Sequence, residues 1–377
     1  MDAWARSAAM RPARFAAWLA TPARLAAWLA ALAVLATGTV RCAHRADAIE
    51  DAPRASLDVE GRLHAAWKAA RVAPIDEAHL PQGIDALMSW HLRIGFFADR
   101  FDGMRRVTGL GPTKDLEAQL TPQRRKVPAS SSQEARCVLC NPPFPEERAL
   151  GWRSWRIWPN AFPYVPSAYQ HVLMVTARHL PQSFSRELFA DMLDFAAAAA
   201  GGRQLTLHYN GIAGNSQYHL HWQATRVVLP LQRQLDAGRV EQRELWRTPE
   251  GRLASLDDAL FAGLLLEGGR GFVIELAARI VRRLETEPLT RGAYNFLVLS
   301  PRGRSLRVVL IPRRAEALKP TLGSLGPQGL GAFNLGGIMV LARPDVPADL
   351  GTAFPAAVRT TVVRASELTW LRALLTP

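Results

Sequence analysis

A chain of 377 residues can hold one large domain or two of ordinary size, and its 49% hydrophobic and 21% charged shares argue against disorder as the default state. Forty-six Lys and Arg against 33 Asp and Glu leave a net charge of +13. That balance suits polyanionic ligands such as nucleotides, loose attraction to nucleic acid or membrane surfaces, or a merely Arg-rich background, and no specific nucleic-acid partner is read from it. Three cysteines, two of them the close pair Cys137 and Cys140, argue against a disulfide framework and fit a reducing compartment.

Residues 1–45 are Ala-rich and basic, with Arg6, Arg11, Arg14 and Arg24 ahead of an apolar run over 25–40. The run is shorter than the ~20 residues of a spanning helix and has the length of the middle of a signal peptide. The segment contains an internal near-repeat, P-A-R-F-A-A-W-L-A from Pro12 and P-A-R-L-A-A-W-L-A from Pro22. A membrane-surface anchor, an export signal and a dispensable extension are the readings left open. Val40 and Arg41 stand where a lipobox before Cys42 would need small residues.

Helical periodicity follows over 63–72 and 84–97, and the aromatics Trp67, Trp90, Phe96, Phe97 and Phe101 are expected to pack against a later sheet. Residues 120–134, rich in Pro, Arg and Ser, read as an exposed connection. Next comes Arg136-Cys137-Val138-Leu139-Cys140, whose two thiols could share a tetrahedral zinc, act in redox chemistry or simply be buried. A loop rich in Pro and aromatics, residues 158–166, leads to an alternating strand over 170–175. His171 reads as a strand-edge side chain. Phe184, Leu188, Met192 and Phe195 recur at helical spacing over 183–200, Gly201-Gly202 stops that helix, and a strand returns over 204–209.

The return strand runs into the most informative stretch, Y-N-G-I-A-G-N-S-Q-Y-H-L-H-W-Q from Tyr209 to Gln223. Its last five residues alternate, so an extended strand turns His219, His221 and Gln223 to one face and Leu220 and Trp222 to the other. Upstream, Asn210, Gly211, Gly214, Asn215 and Ser216 form a small-residue turn whose N–H groups and hydroxyl could close around an anion.

Gly-x-Ser-x-x-His-x-His-x-Gln resembles the active-site signature of the nucleotidyl-transferring branch of the histidine-triad (HIT-like) superfamily. That branch includes galactose-1-phosphate uridylyltransferase, the diadenosine tetraphosphate phosphorylases and the GDP-hexose phosphorylases. A final Gln, where hydrolases of the superfamily carry a third His, points to transferases. The resemblance implies an α+β fold, a HIT-like antiparallel sheet with flanking helices, and His221 as the nucleophile that attacks the α-phosphorus of a nucleotide. It also implies a structural Cys2His2 zinc on Cys137, Cys140, His179 and His219, and a base and ribose pocket drawn from Asn160, Phe162, Pro163 and Tyr164.

Beyond Pro230, residues 235–287 read as mainly helical, 294–299 and 306–311 as a strand hairpin, and 331–343 as a Gly-containing strand. This layout suggests a second, degenerate HIT-like unit, with a division into an extension over 1–45, a catalytic unit over 46–235 and a second unit with a helical connection over 236–377. From about residue 115 to 350 the chain is similar to an uncharacterised bacterial family related to the GDP-glucose and GDP-galactose phosphorylases. That family tends to carry a His shortly after P-R-[KR], whereas Arg314-Ala315-Glu316-Ala317 stands here, so the acceptor-side pocket is not carried over.

Imidazole suits nucleotidyl transfer because it is neutral near pH 7 and leaves readily once protonated. His221 would form a covalent nucleotidyl intermediate, with Ser216, the turn N–H groups and the Gln223 amide meeting the charge on the phosphoryl oxygens. The expected reaction is phosphorolysis of a GDP-hexose-like nucleotide sugar with phosphate as acceptor. A dinucleoside polyphosphate phosphorylase or hydrolase is the nearer alternative, and a non-catalytic nucleotide- or nucleic-acid-binding protein the more distant one. Nucleotide chemistry and free thiols favour the cytoplasm, with membrane contact through residues 1–45 left open.

Overall fold

The long sheet that carries the histidine strand is assembled from two runs of strands with the same order. The computed structural model describes residues 51–123, 136–167, 170–212, 217–302, 305–317 and 330–375, the side chains of 51–57 and 302 excepted. Residues 1–45 lie outside the described residues, and among those described no helix is long and apolar enough to cross a membrane. Val59–Pro377 form one compact body.

Helix α1 (Asp51–Ala69) leads to β1 (Val72–Pro74), helix α2 (Leu80–Arg93), β2 (Arg105–Leu110) and β3 (Leu116–Leu120). A first run follows: β4 (Ala149–Trp152), β5 (Trp155–Pro159), β6 (Val172–Thr176), helix α3 (Arg186–Ala200), β7 (Thr206–Asn210) and β8 (His221–Thr225). After helix α4 (Pro230–Asp236) come β9 (Gln242–Thr248), β10 (Gly251–Asp257), β11 (Ala262–Gly268), helix α5 (Arg270–Thr286), β12 (Tyr294–Arg302) and β13 (Ser305–Pro312). The short helix α6 (Ala332–Leu335), β14 (Ile338–Leu341) and helices α7 (Leu350–Thr361) and α8 (Leu371–Leu375) complete the described chain.

Eleven strands lie in the order β1-β4-β5-β6-β8-β7-β12-β13-β11-β10-β9. The first run therefore reads β4-β5-β6-β8-β7, and the second reads β9-β10-β11-β13-β12 when followed inwards from the other edge. Each has a helix between its third and fourth strands, and the two meet where β7 pairs antiparallel with β12. No histidine occurs beyond His221, so any second His pair is absent. The HIT-like antiparallel sheet with flanking helices is thus present.

The two sheet faces are covered differently. Helices α2, α3 and α5 press Leu87, Phe189, Phe195, Ile274 and Ile280 onto one face, against Trp222, Phe296 and Leu266. On the other, Leu265, Leu297 and Val309 pack with Leu116, Ala118 and Leu120 of a small sheet ordered β14-β3-β2 and with Phe354 and Val358 of α7.

Helix α3 starts at Arg186 rather than 183, because the Ser185 hydroxyl caps it by accepting from the Leu188 N–H at 3.3 Å. Residues 242–268, expected to be helical, form three antiparallel strands instead. The reason is burial on both faces. Leu253, Leu264 and Leu266 enter one core while Ala254, Leu256 and Leu265 enter the other, so the run has no one-sided period for a sequence reading to detect. Residues 331–343 likewise do not form one strand. Helix α6 occupies their start, Gly337 turns the chain at φ 101°, and β14 then joins β3 in the small sheet. The expected exposed connection begins later than residue 120, since Leu120 is buried in β3 and residues 124–135 lie outside the described set.

Candidate functional site

The C-x-x-C turn, the end of β6 and the start of β8 converge. Asn141 donates its N–H to the Cys137 carbonyl at 2.9 Å, a turn that brings the two sulfurs to one side. Cys140 Sγ is 3.2 Å from both His179 Nδ1 and His219 Nδ1, and Cys137 Sγ is 3.5 Å from His219 Nδ1. All four ligand atoms lie within 4.8 Å of one another. A tetrahedral zinc with Zn–S about 2.3 Å and Zn–N about 2.0–2.1 Å needs edges of roughly 3.3–3.8 Å, so the donor set fits. His219 Nε2 lies 3.0 and 2.9 Å from the carbonyls of Thr176 and Arg178, to which its N–H donates, leaving Nδ1 as the lone-pair nitrogen on the sulfur side. Burial pulls the His219 pKa down to about 4, which keeps the ring neutral as a metal ligand requires. The structure therefore holds a Cys2His2 cluster able to bind a metal.

Two residues on, His221 opens β8 opposite Val175 of β6. Its Nδ1 is 2.8 Å from the His219 carbonyl. A carbonyl can only accept, so Nδ1 carries the proton and Nε2 presents a lone pair. Burial also lowers the His221 pKa, and the ring is 5% exposed. Gln182, to which the sequence reading gave no role, clamps the backbone here. Its Oε1 accepts from the His221 N–H at 3.0 Å, while its Nε2 donates to the carbonyls of His221 at 3.1 Å and Asn210 at 2.8 Å.

Gln223 faces a polar cluster formed by the 158–166 loop and neighbouring strands. Its Oε1 lies 3.2 Å from the Tyr164 hydroxyl and 2.8 Å from His171 Nε2. Asn160 holds the loop by accepting from the Phe162 N–H at 2.9 Å, and its Nδ2 is 2.8 Å from His171 Nε2. Tyr164 also meets His208 of β7, a fully enclosed ring whose pKa burial drives far below the ordinary value. His171 is accordingly a buried member of this cluster and not a strand-edge side chain.

Of the expected pocket residues, Asn160 and Tyr164 reach the cluster around Gln223. Phe162 instead packs with Phe144 at a ring separation of 6.5 Å, and Pro163 is buried beside it in sequence with no polar role. Asn210 and Gly211 sit at the β7–β12 junction. There the Gly211 N–H donates to the Tyr294 carbonyl at 3.2 Å, and a Cβ on residue 211 would stand 2.3 Å from that oxygen, so only glycine fits. Gly214, Asn215 and Ser216 lie outside the described residues. A small apolar cleft lined by Phe184, Leu188, Tyr209, Leu220 and Trp222 opens on the opposite face of β8 from His221, which makes it no candidate for the nucleotide.

Residues 114–226 match the family described as a domain of unknown function, DUF4922, a stretch that contains both cysteines and both histidines of the site. No curated protein matches the chain. Among solved structures, the yeast Ap4A phosphorylase Apa2 in complex with Ap4A is similar at a TM-score of 0.54 and 16% identity, covering 76% of this chain and 97% of that one. Another structure of the same yeast phosphorylase gives a TM-score of 0.53 at 15% identity over 76% of this chain and 97% of that one. At these identities the likeness is one of fold.

Proposed function

We propose that the protein transfers a nucleotidyl group through His221. The observation that carries this reading is the bond from Nδ1 to the His219 carbonyl, which leaves Nε2 unprotonated, with the lone pair a nucleophile needs. In the first step the Nε2 lone pair forms a bond to the α-phosphorus and the bridging P–O bond breaks, releasing a phosphorylated leaving group. In the second, an oxygen of inorganic phosphate attacks the same phosphorus, the P–N bond breaks, and a nucleoside diphosphate departs from a regenerated imidazole. The backbone clamp from Gln182 fixes the strand from which the ring projects, and the Gln223 amide and Tyr164 hydroxyl provide polar partners beside it. Ser216 and the 213–216 turn are proposed to complete the phosphoryl cradle.

Cys137, Cys140, His179 and His219 would hold a zinc ion, whose contribution there is to tie three chain segments together next to the nucleophile. Two substrate classes compete. For a GDP-hexose no observation in the structure speaks, and the sequence resemblance alone supports it. The likeness in fold to an Ap4A phosphorylase, over 76% of this chain, favours a dinucleoside polyphosphate, with phosphate as acceptor, as the first substrate to test.

Incubation with α-labelled Ap4A, GDP-glucose and ADP-glucose, followed by denaturation and capture of acid-labile label, separates the readings. Label on the wild type from Ap4A and none on His221→Gly is the expected result. Tight, salt-sensitive nucleotide binding with no adduct from any donor would overturn the enzymatic reading in favour of a binding protein.

A further inference from the structure

Arg313 directly follows β13 of the second run and is fully buried, yet no carboxylate among the described residues pairs with it. Burial lowers its pKa only to about 10, so it stays a cation at neutral pH. An interior charge of this kind is costly unless its hydrogen bonds have a use. Its Nη1 donates to the Leu330 carbonyl at 2.5 Å and to Asn295 Oδ1 at 3.1 Å, its Nε donates to the Thr361 carbonyl at 3.3 Å, and its Nη2 has no partner among the described residues.

Those contacts start a relay with a fixed polarity. Guanidinium can only donate, so the Asn295 atom facing Arg313 is the oxygen and its Nδ2 must turn the other way. That Nδ2 donates to Asn210 Oδ1 at 3.0 Å across the β7–β12 pair, where the two asparagines stand opposite in register. Asn210 Oδ1 also accepts the Ala332 main-chain N–H at 2.7 Å, from the start of α6. A backbone N–H settles the assignment of an amide independently of any side-chain choice, so both ends of the relay agree. Both lone pairs of Asn210 Oδ1 are engaged from the second run, and among the described residues its half-buried Nδ2 is the group left to turn toward a ligand. The main chain of Asn210 is tied through Gln182 to that of His221.

We propose that Arg313 and Asn295 are positioning residues that set the Asn210 amide so that its N–H pair donates to the phosphoryl group held at His221. The sequence carries the pieces without joining them, since Asn210, Asn295 and Arg313 are separated by 85 and 18 residues. Gly331 belongs to the same device. A Cβ there would lie 3.1 Å from Asn210 Oδ1 and 3.2 Å from its Nδ2, so the amide lies flat against a residue that has no side chain.

This inference rests on His221 as the nucleophile, and the test keeps the two apart. Asn295→Asp retains the size of the side chain and an acceptor for Arg313 but replaces the donor to Asn210 with an oxygen that attracts the amide N–H groups and turns them away from the site. Gly331→Ala presses on the Asn210 amide from the other side with an ordinary backbone conformation, and serves as the second variant where the first fails to fold. Two readouts are used: binding of AMP by calorimetry, and single-turnover adduct formation from the Sp and Rp α-phosphorothioates of ADP and GDP.

The expected result is AMP binding weakened about tenfold, adduct formation slowed by about tenfold or more, and a reduced rate ratio between the two phosphorothioate isomers, because one non-bridging oxygen loses its donor. A general loosening of the fold would slow both isomers alike. Folded variants with wild-type AMP affinity, adduct rate and isomer ratio overturn the proposal even while the wild type forms the adduct. Weakened AMP binding in the variants, with no adduct in the wild type, supports the positioning role and removes the catalytic one.

Discussion

Glu147 gives the sharpest quantitative prediction because its carboxyl is buried without a close partner. It is 3% exposed, and among the described residues its Oε2 accepts no hydrogen bond and the nearest cation, Arg71 Nη2, stands 4.0 Å away. Burial outweighs the attraction of Arg71 and Arg100 and raises its pKa from 4.5 to about 8. Below pH 4.5 the group is protonated in folded and unfolded chains alike and contributes nothing to the pH dependence. Between 4.5 and 8 the unfolded chain is ionised while the folded one holds a proton, so stability falls as pH rises, at about 1.36 kcal/mol per pH unit, to a ceiling of about 5 kcal/mol. Glu147→Gln keeps the shape of the protonated acid and removes that loss. With about 2.1 cal/mol/K per residue over the roughly 320 residues of the compact body, the ceiling corresponds to a rise of about 7 °C in the unfolding midpoint. Calorimetric midpoints of both proteins at pH 5 and pH 8.5 should nearly coincide at the lower pH and separate at the higher. Parallel pH profiles for the two would refute the assignment of a neutral buried acid.

Other consequences are equally open to measurement. His91 donates from Nδ1 to the Leu87 carbonyl at 2.7 Å and accepts the Arg148 N–H on Nε2 at 3.0 Å, and burial lowers its pKa from 6.5 to about 4. The stability this neutral ring contributes is present above pH 6.5 and is lost as pH falls toward 4, by about 3 kcal/mol, which His91→Gln should flatten in acid titrations followed by circular dichroism. Mass spectrometry under non-denaturing conditions should find one zinc per chain, absent from Cys140→Ala. Metal binding worth on the order of 10 kcal/mol means that chelation should lower the unfolding midpoint steeply. Gly211→Ala places a methyl 2.3 Å from the Tyr294 carbonyl and should cost about 1–3 kcal/mol in urea denaturation, with the β7–β12 amides losing exchange protection first. His171→Ala, which removes a partner of Gln223, should still form the covalent adduct at a reduced rate, whereas His221→Gly should form none.

What could be read from the chain beforehand was whatever is written locally. The alternation in H-L-H-W-Q places Trp222 against Phe189 and Phe296 and turns Gln223 to the opposite face, as a period of two requires. The C-x-x-C turn was legible for the same reason, although its two histidine partners came from resemblance, since nothing in the spacing to His179 and His219 dictates that they meet. Strands buried on both faces were illegible. In β11 the run Leu264-Leu265-Leu266 feeds two separate cores, which erases the one-sided pattern that identifies a strand. Gln182, His171 and Arg313 were missed because their roles depend on hydrogen bonds across 39, 52 and 18 residues, and a polar side chain bears no mark of the partner it will find after folding.

The repeated strand order gives the second run a purpose without histidines. Were the first run to end at β7, that strand would present an unpaired edge carrying Asn210 at its tip, and an open edge invites pairing with other chains. Pairing with β12 closes the edge over four residue pairs, Asn210–Asn295 to Leu207–Val298. The same register that satisfies the backbone sets Asn295 beside Asn210, and Arg313, just past the end of β13, stands behind it. This geometry depends on strand pairing and three donor side and main chains, and on no imidazole in the second run. Constraint on the second run should therefore fall on Asn295, Arg313 and the Gly331–Ala332 turn and spare neighbouring polar positions, a pattern that saturation mutagenesis of residues 290–335 scored by nucleotide binding would reveal.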